Sequence, residues 1–81
     1  MFVVYAIESC STRRVYIGQS QGFDERLKLH NGGHVKSTCK DGPWHLVAIE
    51  KFETRDQARW CETLLKRSRG RRLKWLQEFK V

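Results

Sequence analysis

The chain has little of several things that would point to other classes of protein. It contains no run of about 18–20 apolar residues, so no segment reads as a membrane-spanning helix. Its first residues, Met1-Phe2-Val3-Val4-Tyr5, carry no basic region and soon meet Glu8. They do not read as a secretory signal, and a cytoplasmic location is expected. Cysteine is scarce and odd in number: Cys10, Cys39 and Cys61, with no C-x-x-C pair. That argues against a disulfide framework and for reduced thiols. His30, His34 and His45 do not supply the regular ligand spacing of a structural zinc site. There is one proline, and there is neither an internal repeat nor a low-complexity tract.

Acidic residues are also short in supply. Sixteen Lys+Arg face nine Asp+Glu, a net charge of +7 on 81 residues. Such an excess favours an anionic partner, nucleic acid foremost. Length limits the chain to one domain with one modest core, and 40% hydrophobic residues suffice to build it.

The apolar pattern predicts six elements. Phe2 to Ile7 is β-branched and aromatic, and alternation places Val3, Tyr5 and Ile7 on one face and Phe2, Val4 and Ala6 on the other. Both faces are apolar, which predicts a central strand. Arg14 to Gln19 follows a short polar connector and should pair with it as an antiparallel hairpin. Gly22 to Asn31 reads as a helix, with Asp24 and Glu25 in its first turn and Lys28 and His30 in its last. Phe23 and Leu27 share its core stripe, with Arg26 and His30 flanking it. Asn31-Gly32-Gly33 is expected to supply a left-handed stop.

A basic loop from His34 to Gly42 leads through Pro43 to a third strand, Trp44 to Phe52, whose apolar run predicts a place inside the sheet. Thr54 and Gln57 form the signature of a capping box, opening a helix to about Arg67. Its stripe is Ala58, Cys61 and Leu65, and Glu62 falls on it. Gly70 is expected to separate a last amphipathic segment, Arg71 to Phe79, with Leu73, Leu76 and Phe79 on one side. The order β-β-α-β-α-α predicts an α+β fold: a three-stranded, mainly antiparallel sheet flanked by helices.

Five residues carry potential chemistry, and each has an ordinary structural explanation as well. Glu62 on an apolar stripe needs a cation such as Arg26, a lysine or a metal ion; it could equally point to water or pair with Arg59 or Lys66. Tyr5 and Tyr16 lie on neighbouring strands and could simply pack. Their hydroxyls could also converge, where a nearby cation would ease ionisation or proton acceptance. Arg26 is either a surface charge or a planar clamp for a phosphate. His30 either complements the helix dipole or moves a proton. Tyrosine, arginine, histidine and carboxylate together are the residue types that phosphodiester hydrolysis needs.

Val3-Val4-Tyr5, Tyr16-Ile17-Gly18, Arg26, His30 with Asn31-Gly32-Gly33, the Gly42-Pro43-Trp44 approach to a strand, and Glu62 resemble the GIY-YIG nuclease family. The likeness spans about residues 2–66 and is strongest to small stand-alone bacterial members and to the nuclease domain of endonucleases that cut branched DNA. It departs from the family at Val3, where the first motif has glycine, and at Ser20, where threonine is common. The resemblance implies a single nuclease domain over 1–81 that acts on DNA, branched or single-stranded, with a basic C-terminal helix at about 70–80. One of Tyr5 and Tyr16, with Tyr5 favoured, would take a proton from the attacking water. Arg26 would stabilise the developing charge, His30 would contact phosphate or assist proton transfer, and Glu62 would bind one Mg²⁺, with Mn²⁺ as a substitute. Gly18, with no side chain, would leave room for a phosphate between Tyr16 and Arg26.

Nucleic acid would be held by charge. Lys66, Arg67, Arg69, Arg71, Arg72 and Lys74 form one cluster, and Lys36 and Lys40 a second. Such contacts give salt-sensitive affinity with little sequence preference. A solvated helix face is the plainer alternative. Trp44, Trp60 and Trp75 read as core or lid residues rather than stacking platforms. Two further readings stand beside the nuclease. One is a binding module that keeps the fold without catalysis; the other is a subunit that docks on a protein partner through Trp75 and Phe79 of the last helix.

Overall fold

A computed structural model describes residues 1–32 and 42–81. The predicted elements at His34, Lys36, Cys39 and Lys40, and Gly33 of the expected helix stop, lie outside the described residues. The element order is β1 (Phe2–Ser9), β2 (Val15–Ser20), α1 (Phe23–Asn31), β3 (Trp44–Phe52), α2 (Arg55–Arg67) and α3 (Arg69–Glu78). The fold is the expected α+β arrangement. The strands form one antiparallel sheet in the order β2-β1-β3.

The central strand β1 explains the two cores. Val4 and Ala6 face one side, where they pack with Ile17, Ala48, Ala58, Leu65 and Trp75. Val3, Tyr5 and Ile7 face the other, where Trp44 joins them and Tyr16, Phe23 and Leu27 pack alongside. Alternation along a strand buried on both faces is what separates these sets. Helices α2 and α3 therefore cover one face of the sheet, and α1 covers the other. The sheet bulges where β1 meets β3, between Ala6 and Ile7.

β3 is an edge strand, not an interior one. Its apolar outer flank is protected instead by the end of the chain. Ile49 N–H donates to the Phe79 carbonyl at 3.3 Å, Val81 N–H donates to the Val47 carbonyl at 3.1 Å, and Ala48 pairs with Lys80 in an isolated bridge. Covering an edge in this way removes a template for unwanted strand pairing.

The helix ends show which local signals governed. Thr54 makes the expected capping box: its Oγ1 accepts from Gln57 N–H at 3.2 Å, and Gln57 Oε1 accepts from Thr54 N–H at 3.4 Å. Gly70 does not separate α2 from α3. Ser68 does, ending one helix with extended backbone and capping the next by accepting from Arg71 N–H at 3.3 Å. A serine cap starts a helix more effectively than a glycine two residues later can delay it. Nor is Gly32 left-handed; it lies in the right-handed helical region. Asn31 holds this corner instead. Its Oδ1 accepts from Trp44 N–H at 2.6 Å and its Nδ2 donates to the Trp44 carbonyl at 3.2 Å. That two-bond clamp ties the end of α1 to the start of β3.

The buried face of α3 is also shifted. Trp75 is buried and Leu76 and Phe79 are half-buried, whereas Leu73 is 53% exposed. The burial of Trp75 takes away the exposed docking face anticipated for this helix. Trp75 Nε1–H donates to Glu50 Oε1 at 2.8 Å, so its one polar atom is satisfied inside the fold. Trp44 is likewise buried, and Trp60 is exposed. No described helix is long and apolar enough to cross a membrane.

Candidate active site

Tyr5 sits in the middle of β1 directly opposite Gly18 of β2, so its ring lies over the glycine. Tyr16 projects from β2 to the same face. Phe23 and His30 close over them from α1. The Tyr5 ring lies 5.2 Å from Phe23 and 6.5 Å from Tyr16, and the Tyr16 ring lies 4.9 Å from His30. Tyr5 Oη and His30 Nε2 are 3.0 Å apart, and both side chains are essentially fully buried.

Burial sets the charge state of the histidine in that hydrogen bond. The His30 pKa is lowered, first by burial and then by the positive charge of Arg26, so its imidazole is neutral near pH 7. The tautomer of the ring decides whether Nε2 accepts from the Tyr5 hydroxyl or donates to it. The Tyr5 pKa is raised, with burial outweighing the opposing pull of Arg26. The expectation that a cation would ease ionisation of this phenol is therefore reversed by its loss of water. Arg26 rests against both phenols, and its own pKa is raised mainly by its hydrogen bond to Tyr5. Arg26 interacts with both tyrosines.

Gly18 has a different role from the one its sequence position suggests. A Cβ there would lie 2.7 Å from Tyr5 Oη, 2.9 Å from Tyr5 Cζ and 3.0 Å from Tyr16 Cε1. The space above Gly18 belongs to the tyrosines, not to a phosphate. Glycine is required because the phenol approaches the backbone so closely.

Helix α2 approaches from the opposite face but reaches the site around β2, the edge strand. Lys66 Nζ lies 5.8 Å from the centre of the Tyr16 ring. Glu62, its side chain 19% exposed, pairs with Lys66 at 3.9 Å, one of the ordinary explanations offered above. Its negative charge is nevertheless felt at Tyr5, where it adds to the raised pKa. Tyr5, Tyr16, Arg26 and His30 thus form one cluster, with Glu62 and Lys66 at its rim.

The basic cluster on α2 and α3 divides. Lys66 and Arg72 line a cleft of about 460 Å³ with Val15, Tyr16 and Ile17. Arg71 and Lys74 face a separate groove of about 970 Å³ bordered by Trp60 and Glu50. Arg67 and Arg69 are exposed. Lys36 and Lys40 lie outside the described residues. Phe23 and Asn31 are structural partners of the site that sequence reasoning did not single out for it, whereas Lys66 was anticipated as a partner of Glu62. Phe23 was visible as a core position; the Asn31 clamp depends on a contact with β3 that no local pattern announces.

A metal ion would have few protein ligands here. Among the described residues no three His, Cys, Asp or Glu side chains converge on one point. Glu62 supplies a single hard oxygen donor group beside the tyrosines. That donor set suits Mg²⁺, which keeps several waters and takes further oxygens from substrate phosphates. Lys66 would have to share or yield the carboxylate.

Comparison with known proteins places the chain among relatives. Over 68 residues the chain is 34% identical to a protein described as "UPF0213 protein CPE1444" from Clostridium perfringens (strain 13 / Type A), an alignment covering 83% of this chain and 72% of the relative. No solved structure matches. The family profile described as "GIY-YIG catalytic domain" matches residues 1–76, a region that contains all the described site residues. The chain belongs to the GIY-YIG family, whose catalytic domains are nucleases that act on DNA.

Proposed function

We propose that this protein is a metal-dependent endonuclease that hydrolyses DNA phosphodiester bonds. The observation that carries the proposal is the packing of Tyr5, Tyr16 and His30 into one cluster beside Arg26, with Tyr5 hydrogen-bonded to a neutral His30. Arg26 is placed to hold the charge that grows on the phosphoryl oxygens as water attacks. Glu62 would hold a divalent ion, Mg²⁺ or Mn²⁺, which supplies charge neutralisation at the leaving 3′ oxygen and the transferred phosphoryl group.

The two tyrosines divide the work. Tyr5 is fully buried, its pKa is raised and its hydroxyl is engaged by His30. Tyr16 is half-buried, borders the cleft with Lys66 and Arg72, and touches the same arginine. Tyr16 therefore meets the attacking water, a reversal of the preference for Tyr5 drawn from sequence. The Tyr5–His30 pair supports Arg26 from the buried side of the site.

The test is cleavage of a panel of single-stranded, duplex, flap and four-way-junction DNAs in Mg²⁺ and in Mn²⁺. Cutting of at least one substrate is expected, with loss in Tyr16→Phe and Glu62→Gln. No cutting across the panel, or equal cutting by Glu62→Gln, removes the mechanism. The Glu62–Lys66 ion pair favours one second reading, a DNA-binding module in which the carboxylate is structural. Salt-dependent binding without cleavage in either metal is its signature.

A further inference from the structure

Four residues of α2 share one face at spacings of four, three and four: Arg55, Arg59, Glu62 and Lys66. The core side of the helix, Ala58 and Leu65, points elsewhere. This charged face runs beside β2, the edge strand. At one end, Arg55 and Arg59 border a cleft of about 200 Å³ with Gln19, Ser20 and Gln21. At the other, Lys66 and Arg72 border the cleft with Val15 and Tyr16. Helix and strand are therefore antiparallel along the whole edge. Glu62, the only acid on this face, lies between the two basic ends.

We infer that the seam between β2 and α2 is a track for the backbone of a single DNA strand, with Arg55 and Arg59 holding phosphates on one side of the reaction site and Lys66 and Arg72 holding them on the other. The inference rests on the nucleic-acid reading above and assigns two arginines that lie outside both basic clusters seen in the sequence. Charge and shape support it together. Arg55, Arg59 and Lys66 lie on one face of α2, with a cleft at each end of that face, an arrangement suited to following one backbone without reading bases. From Arg55 to Lys66 the helix rises by about 16 Å. That is long enough to span several consecutive phosphates of one strand. Gln19, Ser20 and Gln21 give the groove a polar floor at the arginine end. Arg55 is held there by its guanidinium lying 5.8 Å from the centre of the Phe2 ring.

A strand on this track would pass Glu62 between the two basic ends and Tyr16 at the lysine end. The single acid on an otherwise basic face is then placed where a cation, bound with the phosphate, would offset it. The pairing of Glu62 with Lys66 describes the face before a strand arrives.

The test is binding of a fluorescein-labelled 20-nucleotide single-stranded DNA, followed by anisotropy in EDTA over a range of salt concentrations. Each phosphate contact to a single strand contributes about 0.7 to the slope of log K against log salt. Arg55→Gln/Arg59→Gln should lower the slope by about 1.4. Arg55→Lys/Arg59→Lys should restore it. Lys51→Gln/Lys80→Gln, which removes the same charge on the β3 side, should leave it near the wild-type value. An unchanged slope in the Arg→Gln pair, an equal fall in the Lys51/Lys80 control, or a fall seen only with duplex DNA overturns the track. If loss of the Arg55–Phe2 contact unfolds the double variant by circular dichroism, Arg59→Gln alone should lower the slope by about 0.7. Binding in EDTA needs no catalysis. A wild-type protein that shows the track but cuts nothing keeps this inference and loses the nuclease; a protein that cuts DNA with the slope unaltered by Arg55 and Arg59 does the reverse.

Discussion

Tyr5 Oη and His30 Nε2 share a 3.0 Å hydrogen bond in the buried layer between β1 and α1. The two residues lie 25 positions apart, so this bond locks α1 onto the sheet and sets where Arg26, one helical turn before His30, can point. Tyr5→Phe removes the hydroxyl and takes that partner from a buried imidazole nitrogen. The expected cost is about 1–3 kcal/mol, the penalty for stranding a buried polar group. His30→Phe in the Tyr5→Phe background should recover part of that loss, since replacing both partners with apolar groups strands neither. Urea unfolding of the two single variants and the double variant measures the coupling. Additive losses would show that the bond contributes nothing of its own.

The same pair sets the pH range of stability. The folded His30 pKa is lowered from its ordinary value near 6.5, so below about pH 6.5 the unfolded chain binds a proton that the folded chain resists. Stability is held above that value and falls as pH drops toward the folded pKa. The folded Tyr5 pKa is raised from its ordinary value near 10. Here the unfolded chain loses its proton first, and stability falls as pH rises above about 10. Thermal unfolding should therefore show a plateau between these limits. His30→Gln should flatten the acid side and Tyr5→Phe the alkaline side; unchanged limbs in both variants would assign the titration to other groups.

The sequence made the sheet legible because β1 carries two apolar faces at period two, and Val3, Tyr5 and Ile7 separate from Val4 and Ala6 as that pattern demands. The capping box at Thr54 was legible because both of its bonds are local. The residue types of the site were legible too. The inequality of the tyrosines was not, because it depends on tertiary packing: Tyr5 is enclosed by Phe23, His30 and Gly18, whereas Tyr16, though its ring also lies beside His30, borders the cleft with Lys66 and Arg72. The edge position of β3 escaped for a similar reason: residues Phe79 to Val81 supply its apolar cover from the far end of the chain. In α3, both Leu73 and Trp75 fit a helical stripe with Leu76 and Phe79. Only Glu50, on a distant strand, decides for Trp75.

Gly18→Ala tests how tightly Tyr5 is packed. The added methyl would lie 2.7 Å from Tyr5 Oη and 2.9 Å from Cζ, inside contact distance for a ring that β1 and α1 hold from the other sides. Overpacking of this kind costs about 1–3 kcal/mol. The displaced phenol should also lose its bond to His30, which raises the His30 pKa toward its ordinary range by admitting water. NMR titration of the His30 ring protons should show that upward shift in Gly18→Ala. A variant as stable as the wild type with an unmoved His30 titration would mean that the tyrosine has room to spare.

Trp75 separates a core role from a docking role for α3. Its indole is buried among Ala48, Ala58 and Leu65, and its N–H is spent on Glu50. Trp75→Ala should cost about 3–5 kcal/mol by leaving a cavity, and it also strands part of the Glu50 carboxylate. Trp75→Phe keeps most of the packing and should cost less, isolating the loss of the indole donor. Differential scanning calorimetry ranks the two. Equal, near-zero effects would return Trp75 to the surface.

Cys61 offers a direct readout of the α2 core face. Burial, reinforced by the neighbouring Glu50 carboxylate, pushes its pKa up to about 12. At pH 8 only about one Cys61 in ten thousand would be thiolate, against about one in four for an ordinary thiol of pKa near 8.5. The thiolate is the reacting species, so Cys61 should alkylate with iodoacetamide more than a thousandfold more slowly than a free thiol. Cys10 is exposed and serves as the internal reference. Peptide mapping by mass spectrometry over a time course separates the two sites. Urea just below the unfolding midpoint should speed Cys61 and leave Cys10 nearly constant, because the barrier at Cys61 is the packing of α2 against the sheet. Matching rates for the two cysteines in native buffer would show that Glu50 and burial do not control this thiol.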